Sequence, residues 1–139
     1  MTVYLTRRET FNAAHRLWVD AWTEEENFRM FGKCANPYYH GHNYQLFVTI
    51  KGKPDPVTGF LMDAKELSNI IKKYVTDVID HTNLSAQASF LPAGLQPSTE
   101  NLAIYIWPQL APHLPQGVKL HQIRVWETEN IYCDFFGED

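Results

Sequence analysis

The 139-residue sequence predicts an α+β fold in which two helices cover one face of a four-stranded antiparallel sheet. Segments with an apolar residue at every second position lie towards both ends of the chain, and two segments with helical periodicity lie between them. The predicted order is strand, strand, helix, helix, strand, strand. Such a sheet leaves its second face and its edges open, so we expect subunits to associate and close it.

The first two predicted strands each carry a histidine at one end. Residues 2–15 are rich in Val, Tyr, Thr and Phe, and an extended chain places Phe11 and His15 on the same side. Residues 42–50 alternate between apolar and polar side chains after His42. One strand therefore ends in a histidine and the next one begins with a histidine.

Capping residues predict where the helices begin. Thr23 and Glu26 have the spacing of a capping box, which predicts a short helix that Gly32 can end. After a turn-forming stretch, Asp63 can cap an amphipathic helix that runs to about Ile79.

The second half of the chain begins with a predicted loop and a second helix. Residues 82–97 contain two prolines and a glycine, which favours a loop. Ser98 or Thr99 can cap a helix that reaches Leu110, and Pro108 is expected to kink or end it.

The tail predicts a β-hairpin with its turn at Glu129 and Asn130. One face of the first strand carries His121, Ile123, Val125 and Glu127, and one face of the return strand carries Ile131, Cys133 and Phe135.

Composition limits the classes of partner. The formal net charge of −4 and the pI near 5.8 provide no basic field, so we expect neither nucleic acid nor an anionic membrane as a partner. No stretch approaches the roughly 18 apolar residues of a membrane span. We therefore expect a cytoplasmic protein with a single domain over residues 1–139.

Three histidines predict a metal site. His40-Gly41-His42 places two imidazoles on the same side of an extended chain, where both can reach one ion. A His-x-His pair alone is more often a surface or core feature, but His15 at the end of another strand supplies a third imidazole and favours a metal site. Three imidazoles leave a coordination position open, which is typical of a catalytic metal. Zinc fits nitrogen ligands, and iron, nickel and cobalt fit the same set.

The two cysteines have different surroundings. Cys34 lies six residues before His40, so it is either a small buried apolar residue or, beside a cation, a thiolate base or nucleophile. Cys133 alternates with apolar residues and is assigned to the core.

Three further residues have a functional and an ordinary interpretation. Asp80 and His81 are either a helix-terminal pair or a carboxylate that orients an imidazole acid. Glu127 ends an apolar face and needs a partner, which two parallel N–H donors of a pterin or guanine would provide.

Several motifs together resemble the family of 6-pyruvoyl-tetrahydropterin synthase and 6-carboxy-tetrahydropterin synthase, which act on 7,8-dihydroneopterin triphosphate. The matching segments are FNAAHRL (11–17), FGKCANPYYHGHNY (31–44), DHTNL (80–84), PSTENL (97–102) and VWET (125–128).

The resemblance implies roles for these residues. It implies one Zn²⁺ per subunit, held by His15, His40 and His42, with Cys34 as the general base. Proton transfer is completed by Asp80 and His81. The pterin ring is anchored by Glu127, and its pocket is lined by Ser98, Thr99 and Glu100.

The resemblance also implies the tunnelling fold, in which subunits close a barrel as a homohexamer of two trimers with active sites between subunits. The five residues between Cys34 and His40 favour the pyruvoyl type. The alternatives are the carboxy type of the queuosine pathway, which releases acetaldehyde and triphosphate, and a non-catalytic pterin- or zinc-binding module. A zinc hydrolase without a pterin substrate is a further alternative.

Overall fold

The structure is a computed structural model that describes residues 1–138. These residues form one five-stranded sheet and four helices. The strands are β1 (Val3–His15), β2 (His40–Gly52), β3 (Thr82–Asn83), β4 (Lys119–Thr128) and β5 (Ile131–Phe135). The helices are α1 (Glu24–Phe31), α2 (Ala64–Ile71, continued by Lys72–Thr76 and Asp77–Ile79), α3 (Leu84–Gln87) and α4 (Thr99–Leu110). The strand order is β3-β1-β2-β4-β5, and the sheet of one chain is not closed.

β1 and β2 form a long antiparallel pair. His15 lies opposite His40 in this pair, Ala13 lies opposite His42, and Phe11 opposite Tyr44. β2 begins at His40, two residues earlier than the alternation predicts. Both histidines of the His-Gly-His motif therefore belong to the strand and share its regular alternation.

The core lies between one face of the sheet and the helices α2 and α4. Every second residue of β2 is buried on that face, and the same cluster contains apolar residues of both helices. Its largest fully buried apolar side chains are Tyr44, Leu46, Ile50, Leu67, Ile71, Ile79, Leu102, Ile106, Leu110 and Ile123. The predicted α+β class with helices on one face is confirmed. Among residues 1–138, none of the helices has both the length and the apolar character that crossing a membrane requires.

The predicted helix caps are confirmed. Thr23 caps α1 with both bonds of the capping box present, and Gly32 ends that helix at φ 56°. The side chain of Asp63 accepts the Lys65 backbone N–H at the start of α2. A π-helical segment at Lys72–Thr76 interrupts α2, a local change that its apolar spacing does not predict.

One prediction for the second half is wrong, and for Pro108 one of the two expected effects is contradicted. The four-stranded order is wrong because residues 82–97 are not a continuous loop: β3 pairs in parallel with Ala13 and Ala14 of β1, and α3 follows it. The backbone N–H of His81 donates to Asn12 O, which brings the chain to the edge of β1. In α4, Pro108 does not end the helix, which continues to Leu110.

The predicted face of β4 also changes. The pairing of β2 with β4 shifts between Thr49 and Ile50, so that Leu120 rather than His121 enters the core. The His121 ring instead packs on Tyr4, with 4.6 Å between ring centroids. A β-bulge of this kind inserts one residue into one strand and reverses the side on which the preceding side chains lie.

The buried side-chain amide of Asn27 connects the loop between β1 and α1 with helix α1. The Asn27 side chain accepts the Val19 N–H at 2.7 Å and donates to the carbonyls of Val19 and Thr23 at 3.0 Å each. Asn27 is fully buried, so each of these bonds replaces contact with water.

We predict that Asn27→Asp lowers the free energy of unfolding by about 3 kcal/mol, because a buried carboxylate then faces two carbonyl oxygens without a donor. Chemical denaturation at one fixed protein concentration and neutral pH measures the change. Asn69→Asp, on the exposed face of α2, is the matched control and is expected to stay within about 0.5 kcal/mol of the wild type. Equal effects of the two substitutions would contradict this account.

Candidate active site

Four side chains meet at the end of the sheet where β1 ends and β2 begins. His15, His40, His42 and Glu127 each contribute one possible ligand atom, and these atoms all lie within 4.8 Å of one another. The strand pairing causes this arrangement, because alternation places the three histidines on the same face. The group can hold a metal ion.

The buried ring of His15 has a fixed orientation. Its Nδ1 lies 2.7 Å from the carbonyl oxygen of Pro97, and a carbonyl oxygen can only accept a hydrogen bond. Nδ1 therefore carries the hydrogen, and the neutral ring directs the lone pair of Nε2 into the cluster. That atom lies 2.9 Å from Nε2 of His40.

The histidines are kept neutral by their surroundings. Burial lowers the pKa of His15, His40 and His42, because a charged imidazolium loses more hydration than a neutral ring. Within the described part of the chain, the buried His42 Nε2 makes no hydrogen bond. Converging nitrogens of neutral imidazoles are a donor set that zinc prefers.

Glu127 lies closer to the histidines than the sequence predicts. Its Oε1 is 2.9 Å from His42 Nε2, without the geometry of a hydrogen bond, and its Oε2 accepts the hydroxyl of Thr99. The pairing of β4 with β5 shifts between Trp126 and Thr128, so Glu127 is the extra residue of a β-bulge. The carboxylate is thus directed into the cluster by the backbone and oriented by Thr99.

Cys34 lies in the short 3₁₀ segment Gly32–Ala35 and is half-buried. Burial, with a smaller contribution from the Glu127 carboxylate, raises the pKa of its thiol. A cation among the histidines acts in the opposite direction and favours the thiolate. Cys133 is half-buried and packs against the core, as predicted.

Asp80 and His81 contact each other, with 3.0 Å between Asp80 Oδ2 and His81 Nδ1. The backbone N–H of Asn12 donates to Asp80 Oδ1 at 2.8 Å, and this bond is the main reason that the pKa of Asp80 is lowered. The His81 backbone has φ 59°, a conformation that non-glycine residues seldom adopt and that is found preferentially at functional sites. The pair is therefore an oriented carboxylate–imidazole unit.

Asp80 and His81 are not part of the histidine cluster of the same chain. They line a cavity of about 400 Å³ together with Asn12, Asn43 and Gln45, among others. Asn12 and Asn43 alternate with the buried residues of β1 and β2, so they lie on the sheet face opposite to His15 and His42. The side chain of His81 is 81% exposed there.

The three residues at the start of α4 have different positions. Ser98 caps the helix by accepting the Asn101 N–H at 3.2 Å. Thr99 is buried and contacts Glu127, whereas Glu100 is exposed. Of the three, Thr99 is the one in contact with the cluster.

A match to a known family agrees with this geometry. The family model described as 6-pyruvoyl tetrahydropterin synthase matches residues 4–138. The chain belongs to this family of lyases. The motifs that carry the resemblance lie in the cluster, in the Cys34 segment and in the Asp80–His81 pair.

Similar proteins support the assignment to the 6-pyruvoyl tetrahydropterin synthase family. The chain is 40% identical to the 6-pyruvoyl tetrahydrobiopterin synthase of Homo sapiens over 134 residues, which are 96% of this chain and 91% of that protein. It is 44% identical to the enzyme of the same name from Dictyostelium discoideum over 137 residues, 99% of this chain and 98% of that protein. The structure of 6-pyruvoyl tetrahydropterin synthase from Caenorhabditis elegans superposes with a TM-score of 0.89 at 32% identity, over 99% of this chain and 97% of that one.

The sequence did not identify the backbone group that orients His15. Pro97 is buried and its carbonyl accepts from the ring, yet no pattern in the sequence assigns a ligand-orienting role to a backbone carbonyl 82 residues away. Its position just before the capping residue Ser98 is the one available signal, since a helix start fixes the backbone around it.

We predict that Glu127→Gln accelerates alkylation of Cys34 by iodoacetamide in metal-free protein at neutral pH. Removal of the carboxylate charge removes one cause of the raised pKa, so a larger fraction of Cys34 is thiolate. Mass spectrometry of the modified peptide separates Cys34 from Cys133. Glu129→Gln, an exposed position near Glu127, is the control, and an unchanged Cys34 rate in Glu127→Gln would contradict the prediction.

Proposed function

We propose that this protein is a zinc-dependent lyase that converts 7,8-dihydroneopterin triphosphate to 6-pyruvoyl-tetrahydropterin by elimination of triphosphate. The observation that supports the proposal is the meeting of three neutral imidazoles, one buried (His15) and two half-buried (His40 and His42), with the carboxylate of Glu127. The family of the chain supports the substrate class.

His15, His40 and His42 would hold the metal ion. Three protein nitrogens leave a position for substrate oxygens, which fits a catalytic site better than a structural site. When bound, zinc supplies Lewis-acid stabilisation of negative charge on the substrate side chain. Its identity as Zn²⁺, with one ion per subunit, is part of the proposal.

Glu127 anchors the pterin ring in this proposal. An ionised carboxylate accepts two parallel N–H bonds from a pterin, and such paired charge-assisted bonds fix both position and orientation. Thr99 holds one oxygen of the carboxylate in place. The substrate side chain is thereby directed towards the histidines and Cys34, since Glu127 lies beside both.

Cys34 is the proposed general base, and Asp80 with His81 completes the proton transfer. The Cys34 sulfur accepts a proton from a carbon of the substrate side chain, and the bond to the triphosphate oxygen breaks. Asp80 faces Nδ1 of His81, which leaves Nε2 of the exposed ring free to exchange a proton with the substrate.

The position of His81 supports an active site shared between subunits. Asp80 and His81 lie on the face opposite to the histidine cluster, which favours a site that the Asp80 and His81 of another subunit complete. A second subunit packed on the open face or edge of the sheet would bring its Asp80 and His81 to Cys34. A homohexamer of two trimers in the cytoplasm, with a barrel closed between subunits, remains part of the proposal.

We predict that the purified protein releases triphosphate from 7,8-dihydroneopterin triphosphate and forms the pyruvoyl product, identified by mass. Cys34→Ala should reduce turnover by at least about 100-fold, the usual contribution of a general base, while Cys133→Ala retains it. Release of acetaldehyde would select the carboxy type instead. Full activity of Cys34→Ala would contradict the role of Cys34 as the base. No turnover of this substrate by the wild type would favour a binding module or a zinc hydrolase without a pterin substrate.

We predict that Glu127→Gln raises KM for the pterin substrate and leaves one zinc ion bound per subunit. The amide presents only one acceptor oxygen, so one of the two parallel bonds to the ring is lost. Steady-state kinetics and metal analysis of the same samples measure the two quantities. Loss of the metal together with activity would show that Glu127 is a metal ligand instead.

We predict that inactive Cys34→Ala and His81→Ala proteins regain activity when they are unfolded together and refolded as mixed oligomers. Some mixed sites then combine an intact Cys34 from one subunit with an intact His81 from its neighbour. Each variant refolded alone is the control. If the mixture stays as inactive as the two variants alone, the site is not shared between subunits.

A further inference from the structure

Gln96 binds the backbone of a distant residue with both ends of its side-chain amide. Its Oε1 accepts the N–H of Trp18 at 2.9 Å, and its Nε2 donates to the Trp18 carbonyl at 2.7 Å. The two bonds satisfy both backbone groups of Trp18 and determine the orientation of the amide. This contact joins segments separated by 78 residues.

The chain around Gln96 is held in place from the other side. The Gln96 carbonyl accepts from Asn101 Nδ2 at 2.8 Å, and Ser98 caps α4 two residues later. The residue between them is Pro97, whose carbonyl orients the ring of His15 at 2.7 Å. Gln96 is therefore covalently next to the group that selects the tautomer of a metal-binding histidine.

Trp18 is connected in turn to the backbone that carries Cys34. The guanidinium carbon of Arg16 lies 3.8 Å from the centre of the Trp18 ring, and Arg16 Nε donates to the carbonyl of Ala35 at 2.9 Å. The N–H of Leu17 donates to the Cys34 carbonyl at 2.9 Å. Residues 16–18 thus connect the Gln96 amide with the cysteine segment.

We propose that Gln96 is a positioning residue that sets the geometry of His15 and Cys34 together. The Gln96 amide binds Trp18 and so sets the position of residues 16–18 relative to the Pro97 carbonyl. Residues 16–18 in turn set the position of the segment that carries Cys34. The groups that orient a metal-binding histidine typically change metal affinity by 10- to 100-fold when they are lost. This inference rests on the proposed function, because it assumes that the histidines bind zinc.

A purely structural role for Gln96 has a different consequence. Loss of a bond that only stabilises a loop lowers the melting temperature. Loss of a bond that positions His15 also lowers the affinity for zinc and the rate of turnover. Gln96 is only half-buried, so its replacement leaves the core intact. The two roles can therefore be separated by experiment.

The test measures the zinc dissociation constant by competition with a chromophoric chelator for the wild type, Gln96→Met and Gln87→Met. Methionine matches glutamine in length and lacks the two hydrogen bonds. Gln87 is the matched control because its Oε1 also accepts a backbone N–H, that of Asn83 at 2.8 Å, without a bond to Trp18 or Pro97. If Gln96→Met does not fold, Gln96→Glu, which keeps the acceptor for the Trp18 N–H, takes its place.

We expect Gln96→Met to raise the zinc dissociation constant by about tenfold and to lower kcat, with KM unchanged because Glu127 is not disturbed. Gln87→Met is expected to stay within about twofold of the wild type. A Gln96→Met affinity within about twofold of the wild type, or an equal loss in Gln87→Met, overturns the positioning role. A wild type that binds no zinc overturns the proposed function instead, so the two failures are distinguishable.

Discussion

The pairing of His15 with His40 across β1 and β2 is the constraint on which the candidate site depends. The register of an antiparallel pair decides which side chains share a face, and a slip of one residue transfers a whole set to the other face. In this register, His15 and His42 lie on the face that the helices cover. The buried alternation of the same strands, with Phe11 stacked on Tyr44 at 4.7 Å between ring centroids, opposes any slip because it would expose the core. The packing of the core and the geometry of the candidate metal site therefore have one common cause.

Burial and charge act together at this end of the sheet. Lowered pKa values keep the histidines neutral and available as ligands, while Glu127 introduces one negative charge beside them. Burial, and to a smaller extent that charge, raises the pKa of Cys34, whereas a cation among the histidines would lower it. Neutral nitrogen donors beside one negative charge are an arrangement that can hold a metal ion. By contrast, the Asp80–His81 pair lies at the open edge and face of the sheet, where a second subunit can reach it.

Much of the fold follows from local patterns in the sequence. The alternation in β2, the Thr23 capping box and the Asp63 cap correspond to real elements, because each depends on residues close together in the chain. The three histidines were also predicted to converge, since strand alternation places two of them together and the third ends a neighbouring strand. For Cys34, Asp80, His81 and Glu127 the residues alone left a functional and an ordinary interpretation open, and the family motifs favoured the functional one. The structure shows that these residues divide into two groups on opposite faces of the sheet.

Features that depend on pairing between distant segments could not be predicted. The β-bulge in β4 opposite Thr49 excludes His121 from the core. A second β-bulge, at Glu127, directs the Glu127 carboxylate to His42. Both bulges depend on the strand register. The parallel pairing of β3 with Ala13 and Ala14 accompanies hydrogen bonds between Asn12 and the residues just before β3, Asp80 and His81, which lie far from Asn12 in the sequence. The Gln96 amide and the Pro97 carbonyl act on residues about 80 positions away. Apolar periodicity identifies the face of an element but contains no information on these contacts.

In the proposed site, three imidazole nitrogens hold a metal ion while the thiol of Cys34 stays free for catalysis. X-ray absorption fine structure at the zinc edge of the purified protein distinguishes these two kinds of ligand. The account predicts a first shell of nitrogen and oxygen at about 2.0 Å, with the scattering pattern of three imidazoles and no sulfur. A sulfur neighbour at about 2.3 Å, or fewer than three imidazoles around the metal, would contradict it.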